Sequence, residues 1–362
     1  MLRASARRYL EQRLPPERVA ELADSEDGWD PSSWHDMAAL GWTGLSVPEE
    51  HGGAGMSFLE EAVLFEELAR ALCPGPYWAT VALAHPAANG DPELLTRIAT
   101  QGLSATLAWA EVEGPLSLTE AHLGGARAEV RGSSWALSGE KVLVPDACCV
   151  DEVIVVARSN AGAGLWLIAA RDAERSSVST TDRTRGFGRI RLENAPGRLL
   201  VGPQEVTEVL SGVRTKALAA VALEAVGVGG AALELATTYA RQRSQFGRPI
   251  GSYQAVSHRI ADTYVEMELA RSLAYWAAWC VGREPDRVAG TAAAAAKAYA
   301  TEGAVRACER AIQVHGGLGF TWEHPLHRLY RRALWGLAFE ATGPQLRASV
   351  AEVVLDSLEA LD

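Results

Sequence analysis

Hydrophobic periodicity changes twice along this chain, and that double change limits the fold more than any single residue does. Up to about residue 106 the apolar positions recur at helical spacing. Arg3 to Gln12 reads as a short helix ended at Pro15-Pro16. Ser57 to Leu72 reads as a better-defined one. Ser57 and Glu60 form an S-x-x-E capping box, Leu59, Val63, Leu64 and Leu68 make the apolar face, and Glu60, Glu61, Glu66 and Glu67 make a solvated face. From about Ala105 the pattern alternates, at Ala126–Val130, Trp135–Leu137, Val142–Val144, Val153–Ala157, Leu165–Ile168 and Ile190–Leu192, with turn residues between. Short strands at this spacing predict a small antiparallel barrel or sandwich ending near Val201-Gly202-Pro203.

After Val206 the helical period returns. Val256, Ile260, Tyr264, Met267 and Ala270 mark one face of a long helix, and Ala292 to Ala311 is rich in alanine, the best helix former. The last helix has Pro344 in its first turn and shows Leu346, Val350, Val353 and Leu361. Four long helices joined by short turns predict an antiparallel bundle. The expected fold is therefore α+β in three domains: helical over 1–106, β over 107–206, a helical bundle over 207–362.

Composition removes several function classes. Of 362 residues 48% are hydrophobic and 22% charged, as in an ordinary soluble protein. The net charge of −11 argues against nucleic-acid and anionic-membrane partners. Ala217 to Ala236 is the most apolar stretch, but Glu224 and Glu234 interrupt it, so a buried bundle helix is expected there and not a span. Met1 to Leu14 is charged and lacks an apolar run, so no secretory signal is expected. Five cysteines fit free thiols in a reducing cytoplasm, with Cys148-Cys149 expected to be buried in a strand.

The densest candidate chemistry lies in residues 311–342. A helix end runs into Gly316-Gly317-Leu318-Gly319, where a ligand could approach the backbone because no Cβ stands in the way. The stretch closes at Phe339-Glu340-Ala341-Thr342, and burial among Ala338, Phe339 and Ala341 would raise a carboxylate's pKa. A plain helix cap followed by a surface glutamate is the competing reading. His315 lacks a second metal ligand at helical spacing and reads as a capping or core residue; no metal site is expected.

Four stretches, in order and spacing, resemble the acyl-CoA dehydrogenase family of flavoproteins. They are Gly44-Leu45-Ser46-Val47-Pro48-Glu49-Glu50-His51-Gly52-Gly53-Ala54-Gly55 with Phe65-Glu66-Glu67-Leu68, then Leu137-Ser138-Gly139-Glu140-Lys141, then Arg243-Ser244-Gln245-Phe246-Gly247-Arg248-Pro249-Ile250 with Gln254, and finally Gln313-Val314-His315-Gly316-Gly317-Leu318-Gly319-Phe320 with Phe339-Glu340-Ala341-Thr342. The resemblance implies helical, β and bundle segments in that order and FAD as cofactor. It implies desaturation of an acyl-CoA thioester, a homo- or hetero-oligomer with a paralogue, and electron-transfer flavoprotein or a similar electron acceptor. Residue by residue, Glu340 matches the family's catalytic base, a carboxylate that removes the weakly acidic proton beside the thioester carbonyl. Arg243, Phe246, Gln313, Gly316 and Gly317 match positions that hold the FAD pyrophosphate and adenosine across a dimer interface, and Thr342 matches a threonine beside the cofactor. In members that carry the base on the earlier helix, the equivalent position here is Ala217.

The middle segment departs from the family. Trp109-Ala110-Glu111-Val112-Glu113-Gly114-Pro115 stands where Thr-Glu-Pro…Gly-Ser-Asp is usual, and Pro145 stands where a threonine bonds the flavin ring. Proline offers neither a hydroxyl nor an N–H. The family's Asp-x-x-Arg at the CoA end falls on Thr215 and Leu218, leaving Lys216 or Arg214 to substitute. A half-site kept for a neighbour's FAD beside an eroded one for the chain's own ring is the pattern of one subunit of a heteromeric enzyme, known in the family for bulky, steroid-like acyl-CoA. Three readings follow: an active dehydrogenase, alone or as a subunit; a catalytically degenerate partner that completes another chain's FAD site; or an oxidase or monooxygenase on the same fold.

Overall fold

The computed structural model describes residues 1–88, 90–114, 116–131 and 134–359; Pro115 and Leu361, both named above, lie outside the described residues. Helices α1 (Leu2–Arg13) and α2 (Pro16–Asp24) flank the diproline, and Pro16 opens α2, since a first-turn residue needs no N–H. Asp30 caps α3 (Pro31–Ala39) by accepting from the Ser32 N–H. The glycine-rich loop that follows packs on itself: a Cβ on Gly53 would stand 2.1 Å from the Val47 carbonyl oxygen, so only glycine fits. Ser57 and Glu60 form the expected capping box on α4 (Phe58–Arg70), the Ser57 N–H and hydroxyl donating to Glu60 Oε2 at 2.9 and 2.7 Å. A π-helical turn (Ala79–Ala84) runs into α5 (His85–Ala87), and α6 (Pro92–Gln101) ends at Gly102.

Strands β1 (Ala105–Ala108), β2 (Arg127–Arg131), β3 (Ser134–Pro145), β4 (Glu152–Ser159), β5 (Gly162–Ala169), β6 (Glu174–Ser177) and β7 (Phe187–Val201) follow. β4, β2, β3, β7 and β5 pair in a ring that closes back on β4, with β1 added to β4 and β6 to β7. This is the small barrel the alternation predicts. Its pairs are antiparallel except β1–β4 and β2–β4. The two alternating runs at 135–137 and 142–144 are one strand, β3, whose register slips at Leu137/Gly139 and Lys141/Val144. Such bulges shift the inward face by one residue and break the alternation. Leu137, Val153, Val155, Trp166, Ile168 and Ile190 fill the barrel.

The carboxy-terminal helices are α7 (Val206–Gln242), α8 (Gln254–Cys280), α9 (Asp286–His315), α10 (Leu326–Ala338) and α11 (Gly343–Glu359), with a two-strand hairpin, β8 (Ser244–Gln245) and β9 (Arg248–Pro249), after α7. Among the described residues one helix, α7, is long and apolar enough to cross a membrane, and 78% of its most apolar window is buried inside the chain, as in a core helix. Met267 of α8 fills room left by Gly229 of α7 and Gly303 of α9; a Cβ on Gly229 would stand 2.0 Å from its sulfur. The buried stripe of α8 is Thr263, Met267, Ala270, Ala274 and Ala277, while Tyr264, expected on that face, is 57% exposed.

By packing, the chain divides into two compact units. One gathers residues 1–21, 62–73 and 218 onward; the other gathers 22–61 and 74–217. Two expectations need correction. Glu61, Glu66 and Glu67 are buried, not solvated. In the first unit Glu67 accepts from Arg3 and Arg7, and Glu66 from Arg3, Arg271 and Tyr275, at 2.6–3.2 Å. In the second, Glu61 pairs with Lys216 at 2.8 Å and with Ser46. Partners so distant in sequence leave no mark on the α4 pattern. Cys148 and Cys149 lie in a turn after β3, not in a strand, with Cys148 exposed. Asp146 at φ +52° turns the chain there, and its carbonyl accepts from Cys149 Sγ at 3.3 Å.

Candidate active site

The site is built from helix ends. α9 stops where Gly316 takes φ +61° and ψ −136°, a conformation an L side chain rarely adopts. Gly316 and Gly317 are exposed, and a Cβ on either would meet nothing within 4 Å. His315, just before the corner, is buried, and its Nδ1–H donates to the Ala311 carbonyl at 2.8 Å. Its ring stacks on Tyr239 with centroids 4.4 Å apart and lies 4.6 Å from His324. This is the core role expected of it. Burial holds the imidazole below its ordinary pKa, against the pull of the Ala311 carbonyl.

Tyr239 sits on the last turn of α7, and its carbonyl accepts from the Arg243 N–H at 2.8 Å. The stack therefore brings the Arg243 end of α7 and the Gly316 end of α9 into one corner. Beyond Arg243 the hairpin turns through Phe246 at φ +52° and Gly247 at φ +80°. Positive φ at both loop residues is the type I′ geometry, and a bulky residue there is strained. Phe246 is 94% exposed at its tip. Arg243 and Gln313 are exposed as well.

Glu340 lies past the end of α10 at φ +63°, and the Ala341 N–H donates to the Phe339 carbonyl at 2.8 Å. That bond closes a γ-turn of the strained hand with a non-glycine at its centre, a conformation that costs about 1–3 kcal/mol. The carboxylate-bearing residue is partly buried. Thr342 is exposed; its N–H and hydroxyl both meet Gln345 Oε1, at 2.9 and 2.8 Å, as a capping box for α11. Sequence reasoning missed Lys297 of α9, which is fully buried and donates to the carbonyls of Leu337 and Ala341 at 3.0 and 2.6 Å. The available signal was a lysine inside an alanine run that must pack on both sides.

In the barrel, Glu111 turns inward. Its carboxylate accepts from the N–H groups of Gly125 and Ala126, at 2.5 and 3.0 Å, and from the fully buried Lys141 at 2.5 Å. Burial opposes the charge, but these donors hold the carboxyl below its ordinary pKa. Pro145 closes β3 and accepts from the Thr106 hydroxyl at 2.7 Å. Lys216, one candidate for the CoA end, is buried and paired with Glu61; Arg214, the other, is half-buried.

Two family models match the chain: "Acyl-CoA dehydrogenase, N-terminal domain" over residues 1–103 and "Acyl-CoA dehydrogenase, C-terminal domain" over 216–355. Acyl-CoA dehydrogenase IpdE2 of Mycobacterium tuberculosis is 32% identical over 92% of this chain and 90% of its own length. A variant of the Tcur3481-Tcur3483 steroid ACAD superposes with a TM-score of 0.86 at 28% identity, covering 99% of this chain and 98% of that one. The ChsE4-ChsE5 complex from Mycobacterium tuberculosis gives 0.83 at 26%, covering 98% and 96%.

Proposed function

This chain belongs to the acyl-CoA dehydrogenase family, flavoprotein oxidoreductases acting on acyl-CoA, and on that premise we propose that it is an FAD-dependent enzyme introducing an α,β double bond into an acyl-CoA thioester. The observation that carries the reading is the corner where the Tyr239–His315 stack draws Arg243 and Phe246 towards Gly316 and Gly317. The corner fits an adenosine–pyrophosphate group. Its two glycines leave open space where other residues would carry a Cβ, and Arg243 presents an exposed fork able to bond two phosphate oxygens. Phe246, held in solvent by its turn, and Gln313 complete the set for a cofactor shared with a neighbouring subunit. An FAD whose ring lay beside Glu340 would supply the acceptor for the hydride leaving the β-carbon. Glu340, on the turn just past the end of α10, would take the α-proton.

A bulky, steroid-like acyl group, a heterotetramer with a paralogue, electron-transfer flavoprotein as acceptor and a cytoplasmic setting belong to the same proposal. The superposed proteins, one a steroid ACAD and one a complex of two named chains, support a steroid-like acyl group and a hetero-oligomer, and five free thiols support the last. The division into segments 1–106, 107–206 and 207–362 is part of the same proposal. A second reading, a silent subunit that completes its partner's FAD site, is favoured by the barrel. There Glu111 is bound by Gly125, Ala126 and Lys141, and Pro145 carries no hydroxyl.

Co-expression with acyl-CoA dehydrogenase paralogues tests both. The protein is purified alone and with each paralogue, its FAD-to-chain ratio is measured, and cholyl-CoA and octanoyl-CoA are added anaerobically. Flavin bleached in proportion to all chains supports the enzyme. One active flavin per pair of unlike chains, unaffected by changes at Glu340, supports the silent subunit. A purified complex with no flavin at all ends both.

A further inference from the structure

The alanine-rich helix α9 carries one charge deep in its packed interior, the ammonium of Lys297. Its bonds to the Leu337 and Ala341 carbonyls bracket the Glu340 turn, one on the last turn of α10 and one just beyond it. Carbonyls at a helix C-terminus lack intrahelical donors and need them from elsewhere. Water would serve at the surface; on the side that faces α9, Lys297 supplies the donor. Desolvating an ammonium costs several kcal/mol, more than filling the site with another apolar residue like its alanine neighbours. Among its contacts the charge holds these two particular carbonyls. Between them the chain adopts φ +63° at a glutamate, and strain of that kind persists only where the surroundings over-determine it.

We propose that Lys297 is a positioning residue for Glu340. By pinning the carbonyl on each side, it holds the γ-turn at positive φ and fixes the direction in which the carboxylate leaves the chain. Without that hold the turn relaxes to negative φ, and the side chain departs along a different vector. A displacement of about 1 Å at a reacting group costs on the order of a hundredfold in rate. The inference rests on the reading of Glu340 as the base.

The test uses the holoenzyme, with its partner subunit where one is required, and compares Lys297→Met, Lys297→Arg, Glu340→Gln and the Lys297→Met/Glu340→Gln double variant. Anaerobic flavin reduction by octanoyl-CoA or cholyl-CoA gives the rate, a titration gives the acyl-CoA Kd, and a crystal structure of Lys297→Met gives φ at residue 340. Lys297→Met is expected to slow reduction about ten- to a hundredfold with Kd changed less than about threefold. Lys297→Arg, which keeps a charged donor, should recover part of that loss. The double variant should be no slower than Glu340→Gln alone, because both lesions remove the same function. Thr301→Val, which deletes a neighbouring buried hydroxyl one turn along α9, reports the effect of mere destabilisation. The proposal is overturned if Lys297→Met slows the Glu340→Gln enzyme as much as the wild type, or if φ at residue 340 stays positive without Lys297. Should Glu340→Gln leave the rate unchanged, the base reading falls, and the crystal structure still decides what sets the turn. If Lys297→Met does not fold, Lys297→Gln takes its place in every comparison.

Discussion

Tyr239 and His315 stack with their ring centroids 4.4 Å apart and their planes 23° from parallel, and through this one contact the ends of two long helices become a single corner. An aromatic pair of this kind contributes about 0.5–1.5 kcal/mol beyond its burial. If the corner holds the adenosine end of FAD, Tyr239→Leu should weaken FAD binding by about two- to tenfold. A fluorescence titration of FAD into apoprotein measures the change. Equal affinity for both proteins would separate the stack from the cofactor.

Arg243→Ala should cost more. It removes charge-assisted bonds to phosphate worth about 1.5–3 kcal/mol, or roughly ten- to a hundredfold in FAD affinity. Arg243 is exposed, and its main chain is tied to Tyr239 and Ile250, bonds that the substitution leaves in place, so the fold should be untouched and the circular dichroism melt unchanged. Unchanged FAD retention would remove Arg243 from the site.

The elements were legible wherever local sequence decides them. The Ser57–Glu60 box and the barrel alternation each lie within one element, and the structure has both. What sequence hid was long-range or irregular. Glu61, Glu66 and Glu67 look like a wet face because their basic partners stand on α1, α7 and α8. A bulge in β3 between Lys141 and Val144 splits one strand into two apparent ones, and β1 and β6, four residues each, are too short to show a period. At the candidate site the glycine corner and Glu340 stand out as residue types, whereas the Lys297 bonds run to main-chain carbonyls, which no side-chain pattern announces.

The barrel pair gives an asymmetric prediction for stability. Glu111→Leu leaves the Lys141 ammonium, wholly buried, with the Trp109 carbonyl at 3.2 Å in place of its counter-charge. Breaking a buried pair from one side costs about 3–5 kcal/mol, a large part of a typical domain's stability. Lys141→Met should cost clearly less, because Glu111 keeps the Gly125 and Ala126 N–H groups and lies nearer to water. Urea denaturation of the two variants ranks them; the reverse order would mean the carboxylate, not the ammonium, is the desolvated partner.

Stability should also fall on mild acidification. Burial, reinforced by the nearby Lys216, pushes the His85 imidazole well below its ordinary pKa, and burial lowers His315 and His324 too. Unfolded histidine titrates near 6.5, so below about that pH the unfolded chain takes up protons that the folded chain refuses. The neutral histidines thus add stability above pH ~6.5, and it is lost as the pH drops towards their folded pKa values, by up to about 1.4 kcal/mol per pH unit for each. The carboxyls held low, Glu66 and Glu111 among them, lose stability only in a more acidic range, near and below about pH 4.5. Thermal melts between pH 7.5 and 5 should fall steadily, and His85→Gln should flatten that slope. A flat profile in the wild type would mean His85 gains a proton without cost.

Glu340→Gln decides between an enzyme and a silent subunit. The amide keeps the shape of the carboxyl but cannot accept the α-proton, while Lys297 reaches the turn through the main-chain carbonyls of Leu337 and Ala341, which the substitution leaves in place. Folding and FAD content should therefore persist. If the chain is catalytic, loss of the base slows flavin reduction by about 10²–10⁴-fold with acyl-CoA binding largely retained. If the partner does the chemistry, turnover of the reconstituted complex stays within about twofold, a change below ~0.5 kcal/mol in the barrier. We expect the slow outcome. A carboxylate kept on a strained turn, with a buried ammonium holding that turn in place, costs stability that an idle site would not need.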